Sequence, residues 1–231
     1  MSEILHWLAQ NLADVPEDET WLGEGERRIL AGKHFPKRRN DWRLGRWTVK
    51  RAICAYLLKN ELSMPSLEIR AAADGAPEAF WNGAPAEVSI SISHSSERSL
   101  CAVSPPGVAI GCDLERIEAR ESSLVRDYFT SDEIAFCEQA PEAEKDAAVN
   151  LVWSAKESVL KVLREGLRRD TRSIRIHPDW PGTAIGWNAW KGYCIESSQV
   201  FHGWWRIGES YVYTLASDRR TSLPQQIQPR G

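Results

Sequence analysis

The pattern of hydrophobic and polar positions is clearest between residues 148 and 164, where it predicts an amphipathic helix. The segment from Trp153 to Lys161 contains neither Gly nor Pro and is rich in strong helix formers. At about 100° per residue, apolar positions fall on one face and polar positions on the other. The apolar face comprises Ala148, Val152, Ala155, Val159 and Val162, and the polar face comprises Asn150, Trp153, Glu157, Lys161 and Arg164. We expect the apolar face to enter the core.

The rest of the pattern mixes helices with short strands. A short helix is predicted within residues 23–35, and a longer one follows Pro36, from about residue 38 to 59. At residues 88–93, apolar residues alternate with serines, which predicts a strand that ends in Ser93-His94-Ser95. Further strands are predicted at 100–103, 108–112, 173–176, 192–197 and 204–216.

Cations follow one face of the predicted helix at 38–59. They are Arg39, Arg43, Arg46 and Lys50, with Lys37 and Arg38 at the helix start. A stripe of this kind is often a solvated surface. However, no acidic residue stands four positions away from the four stripe residues, and cations near a helix start oppose its dipole. Unpaired arginines suit phosphate, which guanidinium groups bind in a bidentate manner.

Composition narrows the function classes. A chain of 231 residues suits one large domain or two of about 100–130 residues each. A net charge of −3 argues against a non-specific nucleic-acid binder, which usually shows a basic bias. The five Cys include no C-x-x-C, and from residues 1–14 and the hydropathy pattern we expect neither a signal peptide nor a membrane span. We expect a cytoplasmic protein with reduced thiols and with neither nucleic acid nor membrane as partner.

Acidic residues supply the first candidate chemistry. On a strand, Asp113 and Glu115 project to the same side, where two carboxylates repel one another unless a cation lies between them. Mg²⁺ prefers such oxygen ligands and often shares substrate phosphates. An Asp-x-Glu pair is also common on exposed strands, and Glu157 with Lys161 is also typical of a surface ion pair. Together, Asp113, Glu115 and Glu157 form a candidate three-carboxylate site.

Two segments carry a family resemblance. Residues 110–115, Ile-Gly-Cys-Asp-Leu-Glu, are followed about 40 residues later by Trp153-Ser-Ala-Lys-Glu-Ser-Val-Leu-Lys161. This pair resembles the signature of the 4′-phosphopantetheinyl transferases of the larger, monomeric, surfactin-synthetase-activating type. Three further segments resemble family motifs: the basic helix that begins at Lys37-Arg38-Arg39, Ser93-His94-Ser95, and Phe129-Thr130-Ser131-Asp132-Glu133. The similarity spans roughly residues 20 to 215.

Two positions depart from the family pattern. Ser91 stands where the family usually has Asn. The loop Asp74-Gly75-Ala76-Pro77 lacks the Lys that the family commonly carries there. A contact to a phosphate or to the adenine side of coenzyme A is therefore missing or comes from elsewhere, with Arg70 as the candidate.

The resemblance implies an α+β fold of two similar α/β subdomains, related by a pseudo-twofold, with the active site in the cleft between them. We expect subdomains at 1–105 and 106–220 and a flexible tail at 221–231. A faint internal repeat agrees with this: Trp42 and Lys50 have the same spacing as Trp153 and Lys161. In that register Arg46 corresponds to Glu157.

The resemblance also implies a reaction. The 4′-phosphopantetheine arm of coenzyme A moves to a serine of an acyl or peptidyl carrier protein, and adenosine 3′,5′-bisphosphate leaves. Asp113, Glu115 and Glu157 would hold Mg²⁺, with Mn²⁺ as the alternative metal. Glu157 or a metal-bound water would take the serine proton, and Lys161 would neutralise the leaving phosphate.

Coenzyme A contacts follow from the remaining motifs. The resemblance assigns them to Arg38, Arg46, Ser93, His94, Asp113, Lys156 and Lys161. His94 is the candidate for the 3′-phosphate, and Lys156 for the pyrophosphate or the carrier.

Two alternatives stay open: a non-catalytic paralogue that binds coenzyme A or a carrier, and another Mg²⁺-dependent phosphoryl-transfer enzyme or nuclease. The presence of all three carboxylates and Lys161 argues against the first, and the low basic character argues against a nuclease.

Overall fold

The structure, a computed structural model, describes residues 3–59, 61–180 and 186–229. Within these ranges the chain forms five α-helices and twelve strands. The helices are α1 (Glu24–Ala31), α2 (Pro36–Tyr56), α3 (Ser122–Tyr128), α4 (Ser131–Gln139) and α5 (Lys145–Val162). The strands are β1 (Glu3–Asn11), β2 (Leu67–Ala71), β3 (Pro77–Trp81), β4 (Ala84–Pro85), β5 (Ser89–Ser95), β6 (Arg98–Ser104), β7 (Ile110–Arg116), β8 (Ile174–Pro178), β9 (Asn188–Cys194), β10 (Val200–Gly208), β11 (Tyr211–Ser217) and β12 (Thr221–Gln226).

The two long helices lie where the sequence predicts them. Pro36 occupies the first turn of α2, where its missing N–H is harmless. The five apolar positions predicted to face the core from α5 are all buried. The α5 prediction is therefore confirmed, including its core face.

The strands form two main sheets with similar connections. One has the order β12-β1-β6-β5 and the other the order β7-β11-β10-β9-β8, while β2, β3 and β4 form a third, small sheet. In both halves an opening strand pairs with the last strand of that half, as β1 does with β6 and β7 does with β11. The predicted α+β fold of two similar α/β halves is confirmed. The boundary predicted at residues 105–106 falls between β6 and β7 and stays a prediction.

Each main sheet carries a long helix on one face. Helix α2 packs with the first sheet through residues such as Ile53 and Val103, and α5 packs with the second through Val159 and Val212. The opposite faces enclose a shared apolar layer, which Leu100 helps to form. Within β7, Cys112 and Leu114 enter this layer. The alternate side chains of β7 are therefore directed towards α5.

Buried ion pairs reveal the register of the internal repeat. In the first half Lys50 pairs with Glu26, and Glu26 accepts backbone N–H groups from Gly23 and Ile69. In the second half Lys156 pairs with Glu133, which accepts backbone N–H groups from Thr130 and Ile176. The predicted register, which equates Lys50 with Lys161, is wrong. Lys50 corresponds to Lys156, because both amines hold a helix-capping glutamate inside the core.

Of the predicted flexible tail at 221–231, residues 221–227 pack against the rest of the molecule, whereas residues 230 and 231 lie outside the described residues. Strand β12 pairs in parallel with β1, and the Ile227 N–H donates to the Trp7 carbonyl at 2.8 Å. The Ile227 side chain is buried against the core around α2. An unpaired edge of β1 would expose backbone donors and acceptors, and β12 satisfies them.

Within the described ranges, no helix has the length and apolar content that a membrane span needs.

Candidate active site

The site begins with a close approach between β7 and α5. A Cβ atom on Gly111 would lie 1.9 Å from the carbonyl oxygen of Ser158, so only glycine permits this packing. Asp113 and Glu115 lie two and four residues further along the same face of the strand and therefore also project towards α5. Gly111 therefore allows Asp113 and Glu115 to approach the part of α5 that carries Glu157 and Lys161.

Asp113 lies at the centre of the site and is 5% exposed. Its Oδ1 accepts hydrogen bonds from the Ser93 hydroxyl at 2.7 Å and from the Lys161 ammonium at 2.8 Å. Its buried Oδ2 has no hydrogen-bond partner among the described residues. The structure therefore brings together residues of three separate motifs and leaves one carboxylate oxygen available.

Glu115 is held from two sides. Its Oε1 accepts from the Trp153 indole N–H at 3.0 Å, and its Oε2 accepts from the Arg120 guanidinium at 2.6 Å. Arg120 in turn donates to Asn150 at 2.6 Å. Burial and then the charge of Asp113 raise the pKa of Glu115. Trp153, Arg120 and Asn150 orient this carboxylate, a role that sequence reasoning missed because only spatial contact reveals it.

Glu157 faces the same cluster from α5. Its buried Oε1 lacks a hydrogen-bond partner within the described part of the chain. Burial, followed by the negative charges of Asp113 and Glu115, raises the pKa of Glu157 to about 7, although Lys161 lowers it. A carboxyl group with this pKa changes its charge near neutral pH.

Lys161 provides the cation of the site. Its ammonium donates to the Cys112 carbonyl and to Asp113 Oδ1, both at 2.8 Å, and its side chain is 28% exposed. Burial lowers the pKa of Lys161, but neighbouring negative charges, Asp113 above all, produce a net rise. The amine therefore stays protonated and accessible to an anionic ligand.

The carboxylate oxygens of the site determine whether it fits a metal ion. Among the described residues, no group of three or more His, Cys, Asp or Glu side chains is arranged as a metal site. The unpartnered oxygens of Asp113 and Glu157 nevertheless fit Mg²⁺, which proteins often bind through one or two carboxylates plus substrate phosphates. A metal role for Glu115 stays a prediction, since both its oxygens already accept hydrogen bonds.

Lys156 does not reach the cleft. Its fully buried amine donates to the carbonyls of Thr171 at 2.9 Å and Ile174 at 2.5 Å and pairs with Glu133 at 2.9 Å. An ammonium group has three protons, and these three partners use them all. The predicted contact of Lys156 with coenzyme A or a carrier is corrected accordingly. This lysine is a core residue.

The basic helix is also more engaged than its pattern predicts. Arg39 donates to the Leu30 carbonyl and pairs with Glu19. Arg43 donates to the carbonyls of Pro16 and Glu17. These partners come from segments that are distant along the chain. The absence of acidic residues four positions away on α2 therefore does not mean that these arginines are unpaired.

Three predicted coenzyme A contacts lie on the surface or near it. His94 is exposed at the end of β5, next to the buried Ser93. Arg38 is exposed at the start of α2, and Arg46 stacks over the Trp42 ring at 4.9 Å with its Nε 3.7 Å from Glu26. Of these, Arg46 lies beside a buried acid, whereas the exposed His94 and Arg38 remain available to a ligand, although the Arg38 guanidinium also lies 5.6 Å from the centre of the exposed Phe35 ring.

A cavity of about 740 Å³ adjoins the site. Its wall combines the end of α5, including Lys161, with residues 88–92 from β5 and the segment before it. The turn at residues 74–78 closes another side. A ligand held by Lys161 therefore has room to extend between the two halves of the molecule.

The second half of the chain, which contains both carboxylate motifs, is similar to known proteins. The family model described as the 4′-phosphopantetheinyl transferase superfamily matches residues 109–216. The predicted resemblance is confirmed over these residues. They contain both carboxylate motifs and Lys161 of the phosphopantetheinyl transferase signature.

Individual relatives agree with the family match. The chain is 24% identical over 119 residues to the 4′-phosphopantetheinyl transferase gsp of Aneurinibacillus migulanus, which supports the larger type of transferase. The aligned part is 51% of this chain and 49% of that protein, so the chain spans about half the length of the curated relative it matches.

Two solved structures are similar to part of the chain. One is a holo-(acyl-carrier-protein) synthase from Bacillus anthracis str. Ames in complex with CoA (3′,5′-ADP), with 23% identity, a TM-score of 0.39, and coverage of 46% of this chain and 100% of that one. The other is the holo-[acyl-carrier-protein] synthase of Thermotoga maritima, with 23% identity, a TM-score of 0.34, and coverage of 55% and 76%.

Proposed function

We propose that this protein is a 4′-phosphopantetheinyl transferase that uses coenzyme A and Mg²⁺, with Mn²⁺ as the alternative metal. It would transfer the 4′-phosphopantetheine arm to a serine of an acyl or peptidyl carrier protein and release adenosine 3′,5′-bisphosphate. One observation carries most weight. Two carboxylates, the buried Asp113 and the half-buried Glu157, each keep a buried oxygen with no hydrogen-bond partner in the described ranges, and Lys161 lies beside Asp113. The family match over residues 109–216 covers all three residues.

The carboxylates have separate tasks in this proposal. Asp113 and Glu157 would hold Mg²⁺, and Glu115, fixed by Trp153 and Arg120, would complete the negative side of the site. When bound, Mg²⁺ supplies positive charge next to the diphosphate of coenzyme A. Displacement at a diphosphate depends mainly on positioning and charge neutralisation, which this arrangement supports.

Proton transfer falls to Glu157. The carrier serine must lose its proton as it attacks phosphorus, and a base works best when its pKa is near the working pH. In the metal-free protein the pKa of Glu157 is raised to about 7, and its Oε1 has no hydrogen-bond partner among the described residues, so this side chain is the candidate base. Lys161 stays cationic and accessible and would neutralise the charge that develops on the leaving bisphosphate.

The phosphates of coenzyme A would bind on the first half of the molecule. The exposed His94 and Arg38 are the supported contacts, with His94 assigned to the 3′-phosphate, and Arg46 contributes charge from beside Glu26. The carrier would come from fatty acid, polyketide or nonribosomal peptide synthesis. Action as a monomer in the cytoplasm, with neither nucleic acid nor membrane as partner, belongs to the same proposal.

Mass spectrometry of apo-carriers incubated with the protein, coenzyme A and Mg²⁺ tests the function. We expect a mass increase of one phosphopantetheine arm on at least one member of a panel from the three kinds of synthesis. Chelation of Mg²⁺ and the Asp113→Ala variant should both abolish the increase, while circular dichroism shows an intact fold.

Other outcomes would identify the competing functions. Binding of coenzyme A without modification of any carrier would indicate a non-catalytic paralogue. Hydrolysis of a phosphodiester in the absence of coenzyme A would indicate a different phosphoryl-transfer enzyme.

A further inference from the structure

A cluster of charged residues bridges the two halves at the rim of the cavity. Arg164, just beyond α5, donates to both carboxylate oxygens of Asp74 at 2.7 and 3.2 Å and to Glu78 at 2.8 Å. We call these three residues the clasp. All three line the cavity that contains Lys161. The clasp therefore joins the turn at residues 74–78, in the first half, to the helix that carries Glu157 and Lys161.

The backbone at Arg164 carries its side chain away from the end of α5. The residue has a φ of +58°, a left-handed conformation that is common one position after a helix C-cap. Leu58 has a φ of +55° at the same position after α2. The conformation is therefore the ending that both long helices share, and the contacts of the guanidinium across the cleft are the feature that is particular to Arg164.

The charged residues beside the clasp indicate the kind of ligand that the cavity accepts. Next to the clasp, Arg168 donates only to the carbonyls of Asp74 and Arg164 and pairs with no carboxylate in the described part of the chain. Of the described residues that line the cavity, the charged ones are the cations Lys161, Arg164 and Arg168 and the carboxylates of Asp74 and Glu78. They leave one positive charge in excess beside apolar wall residues such as Ile90 and Val108. A single excess positive charge suits a phosphate at Lys161, and the apolar wall suits the flat base of a nucleoside bisphosphate, whose 3′-phosphate is assigned to His94 in the proposed function.

We propose that Arg164 is a positioning residue for coenzyme A. By clamping the turn at residues 74–78 to the end of α5, Arg164 shapes the cavity for the nucleoside bisphosphate. This inference rests on the proposed function. It also gives the loop that lacks a lysine a different anchor, because Arg164 of the opposite half holds Asp74 and Glu78 there through ion pairs. Arg70, the candidate from the sequence, instead pairs with Glu68 and stacks over Phe80.

Calorimetric titration of the full chain with adenosine 3′,5′-bisphosphate tests the clasp. Arg164→Ala should weaken binding about twofold to fivefold, the range expected when partly exposed ion pairs such as those of Arg164 with Asp74 and Glu78 are lost. The charge-reversed double variant Arg164→Asp with Asp74→Arg should recover part of the affinity. Arg172→Ala is the matched control, because Arg172 pairs with its neighbour Asp170 and does not line the cavity.

Measurements of turnover separate a positioning role of Arg164 from a general loss of structure in the variant. With saturating coenzyme A, we expect Arg164→Ala to transfer the arm at a rate close to that of the wild type, so that KM rises and kcat does not. Unchanged bisphosphate affinity in Arg164→Ala, or no recovery in the double variant, would overturn the proposal. So would a loss of affinity for 4′-phosphopantetheine instead. Absence of transfer by the wild type, together with intact bisphosphate binding, would refute the proposed function and not the clasp.

Discussion

The hydroxyl of Ser93 donates a 2.7 Å hydrogen bond to Oδ1 of Asp113, and both groups are buried. Ser93 belongs to β5 in the first half, whereas Asp113 belongs to β7 in the second. Two residues before Ser93, the Ser91 hydroxyl accepts the backbone N–H of Cys112 at 2.9 Å. These two serines therefore hold β7, and with it the central carboxylate, against the edge of the first sheet.

Loss of the Ser93 hydroxyl should loosen Asp113. Ser93→Ala removes a bond to a charged acceptor, typically worth about 1.5–3 kcal/mol, so we expect kcat/KM to fall about tenfold or more. The concentration of Mg²⁺ required for half-maximal transfer should rise, because Asp113 is no longer fixed for the metal. Steady-state kinetics over a Mg²⁺ series measures both effects.

Two variants control the Ser93 experiment. Ser93→Thr keeps the hydroxyl and should retain most of the activity, while Ser95→Ala removes a hydroxyl from the same strand away from Asp113. If Ser93→Ala lowers the melting temperature but leaves the Mg²⁺ requirement unchanged, the serine only stabilises the fold.

Glu157 should make the stability of the metal-free protein depend on pH. Its pKa rises from the ordinary 4.5 to about 7 in the folded state, so between these values the folded state binds more protons than the unfolded state. The free energy of unfolding should therefore fall as pH rises from about 4.5 to 7, by up to about 3 kcal/mol. Glu157→Gln should lose this dependence and be more stable than the wild type at pH 8.

Urea unfolding at pH 5 and pH 8 measures the difference. Addition of Mg²⁺ at pH 8 should stabilise the wild type more than Glu157→Gln. In single-turnover transfer, Glu157→Gln should be about 10²–10⁴-fold slower, the usual contribution of a general base. Transfer at the wild-type rate would show that another group takes the proton.

Two lysines of one motif should respond in opposite ways. Lys156→Ala leaves the buried Glu133 without its partner, which should cost about 3–5 kcal/mol of stability. Lys161→Ala removes an accessible cation beside Asp113, so it should weaken coenzyme A binding and slow transfer with a smaller loss of stability.

Chemical denaturation and calorimetry on both variants decide the comparison. The double variant Lys156→Met with Glu133→Gln should recover stability, since it removes the buried charges together. A Lys156→Ala protein that is as stable as the wild type but unable to bind coenzyme A would restore the ligand role.

His94 should distinguish coenzyme A from 3′-dephospho-coenzyme A. We expect His94→Ala to weaken binding of coenzyme A about tenfold or more and to leave the dephospho form nearly unaffected, because the lost contact is charge-assisted. Arg46→Ala should also lower the melting temperature, because Arg46 lies beside Glu26 in the core. Equal losses for both ligands would place His94 at the pyrophosphate.

Much of this protein is determined by its sequence alone. The periodicity of residues 148–164 predicts α5 and its core face, because burial of one stripe follows directly from the helical repeat. The two carboxylate motifs predict the resemblance to the 4′-phosphopantetheinyl transferases, which the family model matches over residues 109–216. These features depend on local spacing, which a sequence displays directly.

Only the tertiary structure decides which charges are available to a ligand. Lys156 and Lys161 look alike along the chain, yet one is enclosed by Glu133 and two carbonyls while the other opens to the cavity. Arg164 likewise finds Asp74 ninety residues away. Electrostatic partners are set by distance in space and by desolvation, and neither can be read from the spacing of residues along the chain.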